Sequence, residues 1–328
     1  MQISSFADNK LTICATVPEL GDIAKSIGKE HVSVTVFVKG QEDPHALVAK
    51  PSDVLSLSKA DVIIHMGLGL ESGWLPALIQ RSRNNKLKNN PHANINASQV
   101  VEILSENGAE ILTRDMGDVH PEGNPHYMLD PVNGLKVARL LTLNFIKLQP
   151  SLKDSFLSNF TEFKKLWGDK AFGKTLASRY DVNNLIKSHQ SGKLFQFLKS
   201  TGEQSMLKGW FGEMIKIKGA KFVVDHKQWE YFAKRFSLDI QKAIEPKAGI
   251  PPGTKHLQDL VKWMNKNHIK GVLCSSYFSP RHLDFIKKNS HAKLLSMAHQ
   301  VGAHKNATNY IGMIDHNINL ICQCYLNK

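Results

Sequence analysis

Two β-branched, alternating runs, Leu11-Thr-Ile-Cys-Ala-Thr-Val17 and His31-Val-Ser-Val-Thr-Val-Phe-Val38, are separated by a stretch that places Leu20, Ile23, Ala24 and Ile27 at helical spacing. A period of two, then ~3.6, then two again makes a βαβ unit, whose strands are parallel and whose helix covers the sheet. Lys39-Gly40 breaks the second run. Pro51-Ser52-Asp53 starts a helix, with Ser52 as its expected N-cap, and a third strand follows over 61–65. A helix over 133–148, closed by Pro150, leads into another whose apolar residues Leu152, Phe156, Phe160, Phe163 and Trp167 recur every three or four positions, a stripe that must be buried. Residues 168–209 are basic, polar and irregular in pattern. From Lys221 the rhythm resumes: strands over 221–225, 238–243, 270–274 and 293–297, and helices over 227–236, from 254, over 280–289 and over 309–321. The expected fold class is α/β in two lobes, each a mostly parallel sheet covered on both faces.

Composition narrows the function. A chain of 328 residues with 42% apolar content can bury the cores of two domains. Its longest apolar runs, Asp61-Val-Ile-Ile-His65 and Gly271-Val-Leu-Cys274, are strand length, far short of the ~20 residues that span a bilayer. A net charge of +13 would draw the chain to anionic surfaces, but Lys and Arg are scattered, with no stripe interleaved with aromatics. No nucleic-acid partner is expected. Cys14, Cys274, Cys322 and Cys324 are too few for a disulfide scaffold and read as small apolar residues. Met1-Gln-Ile-Ser-Ser-Phe-Ala-Asp8 has neither a charged n-region nor an apolar h-region, so an intact secretory signal is not expected there; a cytosolic chain and a processed form both remain open.

Three histidines stand at positions suited to metal chemistry. His45 and His126, 81 residues apart, each follow a proline, in Glu42-Asp43-Pro44-His45 and Gly123-Asn124-Pro125-His126, and His226 ends the apolar run Phe222-Val-Val-Asp225. Proline restricts the approach of the chain, and the end of a strand in an open α/β sheet is where ligands bind. Neutral imidazole suits zinc, copper, iron or nickel, and three leave one tetrahedral position for a carboxylate, another His or water. Three His plus water is also a catalytic zinc pattern, so a zinc-dependent hydrolase is the alternative, although no Glu or Asp at a motif position plainly serves as a general base.

The stretch Glu42-Asp-Pro-His-Ala-Leu-Val-Ala-Lys-Pro-Ser-Asp53, followed by Lys59-Ala-Asp61 and Gly67-Leu-Gly-Leu-Glu71, resembles the first half of the zinc- and manganese-binding solute receptors of ABC transporters. Gly123-Asn-Pro-His-Tyr-Met-Leu-Asp-Pro131, Val224-Asp-His-Lys-Gln-Trp-Glu-Tyr-Phe232 and Glu245-Pro-Lys-Ala-Gly-Ile-Pro-Pro252 are similar to later motifs of that family, in order, from about residue 11 to 321. The resemblance implies an amino-terminal lobe (1–148), a long rigid linking helix with an inserted segment (149–210) and a carboxy-terminal lobe (211–328), with one ion in the cleft. It implies a monomeric, periplasmic or membrane-tethered receptor that is no enzyme and hands its ion to an ABC permease. Carried over, His45 and His126 are the amino-terminal ligands and His226 the first carboxy-terminal one, and His226 tilts the expected metal toward Zn2+, with Mn2+ as the alternative. Where the family often supplies a late carboxylate this chain reads Met297-Ala-His-Gln-Val-Gly302, making His299 the candidate fourth ligand. Where relatives carry Glu after the strand at 270–274, it has Cys274-Ser275-Ser276. The inserted segment is longer than the usual connection and a His-rich loop is lacking. Asp43 and Asp225 are expected mainly as caps or turn formers, with imidazole-orienting acceptors as the alternative; His120 is expected at the surface, with the cleft as its alternative; and Glu71 and Trp74 are expected as packing residues.

Overall fold

A computed structural model describes residues 10–105, 120–247 and 249–326. The amino-terminal stretch Met1 to Asp8 lies outside them.

The first four strands, β1 (Leu11–Ala15), β2 (Val32–Val36), β3 (Val62–His65) and β4 (Asn94–Asn96), form a parallel sheet in the order β2-β1-β3-β4. The last four, β5 (Lys221–Val224), β6 (Asp239–Ala243), β7 (Gly271–Cys274) and β8 (Lys293–Ser296), repeat that order as β6-β5-β7-β8, again parallel. Alternation along each strand sorts side chains to opposite faces. Ile13, Ala15, Val62 and Ile64 enter one core while Cys14 and Ile63 enter another with Trp74 and Leu78. In the second sheet Phe222, Val224 and Leu273 face the first of these cores, and Val223, Val272 and Cys274 face a third with Leu257 and Ile286. Both sheets are therefore covered on both sides, and each such buried aliphatic contributes about 1.5–3 kcal/mol. Cys14 and Cys274 are packed among apolar neighbours, and burial lifts both thiols, Cys14 to about 12.

Three details differ from expectation. The helix Pro51–Lys59 begins at Pro51, so Ser52 lies inside it and the Asp53 carboxylate reaches back to accept the Lys50 N–H at 2.7 Å. Strand β4, Asn-Ile-Asn, carries little β propensity; one buried residue, Ile95, and its pairing with β3 make it a strand. Residues 168–209 are helical: Lys174–Arg179, Val182–Gln190 and Leu194–Ser200 each bury one to three apolar residues, and Asp181 caps the second by accepting from the N–H groups of Asn183 and Asn184. Segments of two and a half turns or fewer carry too little periodicity to stand out from polar loops.

The long helix Lys153–Phe172 bridges the sheets. Asn159 donates to the Ile27 carbonyl of the helix Pro18–Gly28 at 2.9 Å; further along, the Trp167 ring lies 5.7 Å from that of Trp210 on Gly209–Met214, and Lys170 pairs with Asp315 of Tyr310–Leu326 at 2.6 Å. Phe156, Phe163 and Trp167 of its stripe are buried, and Phe160 is half-buried. One apolar cluster runs without a break from β1 through this helix to the last helix.

Candidate metal centre

Most candidate residues lie within ten positions of the carboxyl end of a strand, whereas His120 and His126 come 24 and 30 positions after β4. His45 follows β2, His120 and His126 follow β4, His226 follows β5, Tyr277 follows β7 and His299 follows β8. In the order β2-β1-β3-β4 the chain reverses direction across the sheet beside β1, which opens a crevice at that end, and the second sheet does the same.

Local chemistry sets each turn. Asp43 caps the short 3-10 turn Pro44–Ala46: its carboxylate accepts the His45 backbone N–H at 2.9 Å and the His45 Nδ1–H at 2.7 Å. Trp74 Nε1 donates to the Pro44 carbonyl at 3.1 Å, fixing the same turn from behind. Glu71 accepts from Thr16 Oγ1 at 2.6 Å and from the backbone N–H groups of Met66 and Gly67, tying the ends of β1 and β3 together. Asn124 repeats the Asp43 device one motif later, its Oδ1 accepting the His126 backbone N–H at 2.9 Å and Nδ1–H at 3.0 Å. Asp225, wholly buried, accepts from the N–H of His226, Trp229 Nε1, and the N–H and hydroxyl of Ser275. Asp43 thus caps and orients an imidazole together, whereas Asp225 stands 3.9 Å from the His226 ring nitrogen and serves the turn.

The three expected imidazoles converge. The His126 ring lies 5.4 Å from His45 and 5.8 Å from His226, centroid to centroid. His226 Nε2 is 3.4 Å from the Tyr277 hydroxyl, and the Tyr277 ring meets His299 edge-on at 4.7 Å, so His299 borders the group from the far side of that tyrosine. His299 Nε2 is 3.5 Å from the Glu42 carbonyl, and its neighbour Gln300 donates to the carbonyls of Lys39 and Glu42 at 2.9 and 2.8 Å, stitching this loop of the second lobe to the His45 loop of the first. His120 is not at the surface: it is 4% exposed, with its Nε2 3.2 Å from His45 Nε2 and its ring 6.1 Å from His126. His-Pro in a loop carries no burial signal, and the preceding Asp118 lies outside the described residues.

These groups suit a cation. Asp43 and Asn124 hold protons on the Nδ1 atoms of His45 and His126, which leaves each Nε2 as a lone-pair donor. His126 Nε2 and His299 Nδ1 are buried with no hydrogen-bond partner, a costly state that an ion would relieve. Burial first, then the neighbouring His45, His226, His120 and His299, holds the His126 imidazole well below its usual pKa, and burial brings His299 down to about 4, so both rings are neutral at pH 7. For Asp43 burial acts upward, but the His45 bonds and charge prevail and keep the carboxyl below its usual range. The pocket beside them, lined by Glu19, Pro44, His126, Gln228 and His299, holds about 20 Å³, room for one water-sized occupant and not for an organic solute. Among the described residues no three His, Cys, Asp or Glu donors are already set about one point. The imidazoles are gathered rather than locked.

A crevice between two parallel-sheet lobes, with neutral imidazoles drawn from both, defines a receptor for a small cation. The match to known proteins gives that class its family: residues 13–190 and 199–324 fit the family ZnuA, described as zinc-uptake complex component A, periplasmic, and the chain belongs to it. Members are solute-binding proteins of metal ABC transporters and not enzymes, which removes the hydrolase alternative. The chain is 24% identical over 324 residues to the manganese-binding lipoprotein MntA of Bacillus subtilis strain 168, covering 96% of this chain and 90% of that one. It is 28% identical to the manganese ABC transporter substrate-binding lipoprotein PsaA of Streptococcus pneumoniae over 49% of each. Its fold matches a crystal structure of ZnuA with a TM-score of 0.69 at 20% identity, covering 96% of this chain and 99% of that one.

Proposed function

We propose that this chain captures a divalent transition metal in the interlobe crevice, on His45, His126 and His226 with His299 beside them, and presents it outside the cytoplasmic membrane, as a monomer, to the permease of an ABC importer. Zinc is the proposed cargo in preference to manganese. The observation that carries this reading is the buried, unpartnered Nε2 of His126 between the rings of His45 and His226. An all-imidazole set favours zinc, since manganese is better served by carboxylate and carbonyl oxygens. The lobes share one continuous core, so capture proceeds by settling of the loops that carry His45 and His299 rather than by a wide hinge. Protons compete for the same lone pairs, and affinity falls as the solution is acidified below about pH 6.

The test is calorimetric titration of chelator-stripped protein with zinc and with manganese, beside His126→Ala. One tight zinc equivalent, weaker manganese and loss of zinc binding in the variant are expected. Zinc binding unchanged in His126→Ala, or manganese bound more tightly than zinc, would overturn the respective half of the proposal.

A further inference from the structure

We infer that His120, rather than His299, supplies the fourth nitrogen of this centre, an inference that rests on metal capture in the crevice. His120 Nε2 lies 3.2 Å from His45 Nε2. Two imidazole nitrogens bound to one tetrahedral ion at 2.0–2.1 Å stand about 3.3 Å apart, so this pair already has the spacing of one edge of a zinc tetrahedron. Asp43 accepts the Nδ1–H of His45, which leaves the His45 lone pair on Nε2, the nitrogen that faces His120 Nε2. The His45 and His120 rings are 5.1 Å apart and tilted by 32°, and His120 meets His126 nearly edge-on at 78° and 6.1 Å, so the three rings border one space.

His299 is placed differently. Its buried Nδ1 is bare, but its Nε2 faces the Glu42 carbonyl, its ring packs edge-on to Tyr277, and the adjoining Gln300 pins that loop to Lys39 and Glu42. The chemical consequence is a centre with three nitrogens from the first lobe and one from the second. Such an ion is gripped by the loops after β2 and β4 before His226 completes the shell, and no carboxylate takes part. Cobalt and nickel should follow zinc as cargo, with manganese last.

The rival account is an ordinary N–H···N hydrogen bond by which His120 only steadies His45. Cobalt separates the two, using the full chain stripped with chelator. Because the wild-type set contains no thiolate, its cobalt form should show tetrahedral visible bands alone. His120→Cys should add a thiolate-to-cobalt charge-transfer band in the near ultraviolet, and His120→Ala should weaken zinc by about tenfold or more while His299→Ala changes it less than about threefold. A folded His120→Cys that binds cobalt without the new band, or a His299→Ala loss exceeding that of His120→Ala, would overturn the assignment and leave metal capture standing. Should His120→Cys fail to fold, judged by circular dichroism, the paired alanine variants decide. Wild-type protein that binds neither zinc nor cobalt would instead sink metal capture itself.

Discussion

At the residue scale the proposed centre depends on acceptors that hold the imidazole proton on Nδ1 and so leave Nε2 bare. Asp43 and Asn124 do this for His45 and His126 with the same short geometry, a carboxylate or amide oxygen two residues upstream bonding both backbone and ring. Removing such an acceptor frees the ring to rotate and to switch tautomer. Asp43→Ala should therefore weaken zinc by about 10- to 100-fold, with Asp43→Asn in between because it keeps an oxygen acceptor. Competition titration against a chromophoric chelator measures it; equal affinity in all three proteins would show that the Asp43 bond does not tune the site.

At the scale of elements, an ion pair joins the segment carrying His126 to the one carrying His226, beside the hydrogen bonds of Asn124 to Lys227, Glu230 and Tyr231. Asp130 caps the helix Pro131–Leu148 by accepting the Val132 N–H at 2.9 Å, and the same carboxylate receives Arg235 Nε and Nη2 at 2.7 and 2.6 Å from the helix Glu230–Phe236. Both partners are largely buried. Arg235→Ala leaves a buried carboxylate with two of its three donors gone and should cost about 3–5 kcal/mol of stability. Urea unfolding of the stripped protein reads this directly, and a midpoint unmoved by the substitution would show the pair to be dispensable. The strands and long helices of this framework were visible as period-2 and period-3.6 patterns, whereas β4 and the helices within 168–209 were not: Ile95 alone, or the trio Val182, Leu185 and Ile186, carries too few repeats to be told from a loop until a neighbouring element covers it.

For the whole molecule, the shared core makes stability and pH a single question. His189, on the helix Val182–Gln190, lies against Phe211 at 4.1 Å with a buried, unpartnered Nδ1, and burial, followed by Arg235, lowers its pKa from 6.5 to about 4. Between those values the unfolded chain binds a proton that the folded chain refuses, so stability is complete above about pH 6.5 and declines as pH falls toward 4. His126 and His299, also held neutral by burial, act in the same direction. The urea midpoint of stripped protein should thus drop between pH 7 and pH 4.5, and His189→Phe, which removes one of these groups, should shrink the drop. An equal drop in the variant would assign the effect to the metal-site imidazoles alone.

The sequence by itself determined the two α/β lobes, the bridging stripe from Phe156 to Trp167 and the Pro-His turns, because each is written in near-neighbour residues: alternation, helical spacing, and an acceptor two positions before its histidine. Even Trp74 and Glu71, expected only as packing residues, act through contacts from one loop to the next that no local pattern carries. What the tertiary structure alone decided is which imidazoles share a space. His120 and His45 are 75 positions apart, and His299 and Glu42 are 257 apart. Their distances follow from strand order and from loops folding over the ends of two sheets. Burial likewise belongs to the assembled chain: the same imidazole is a solvated base in a loop and a neutral ring with an unpartnered Nε2 once Pro44, Met128 and Gln228 close around His126.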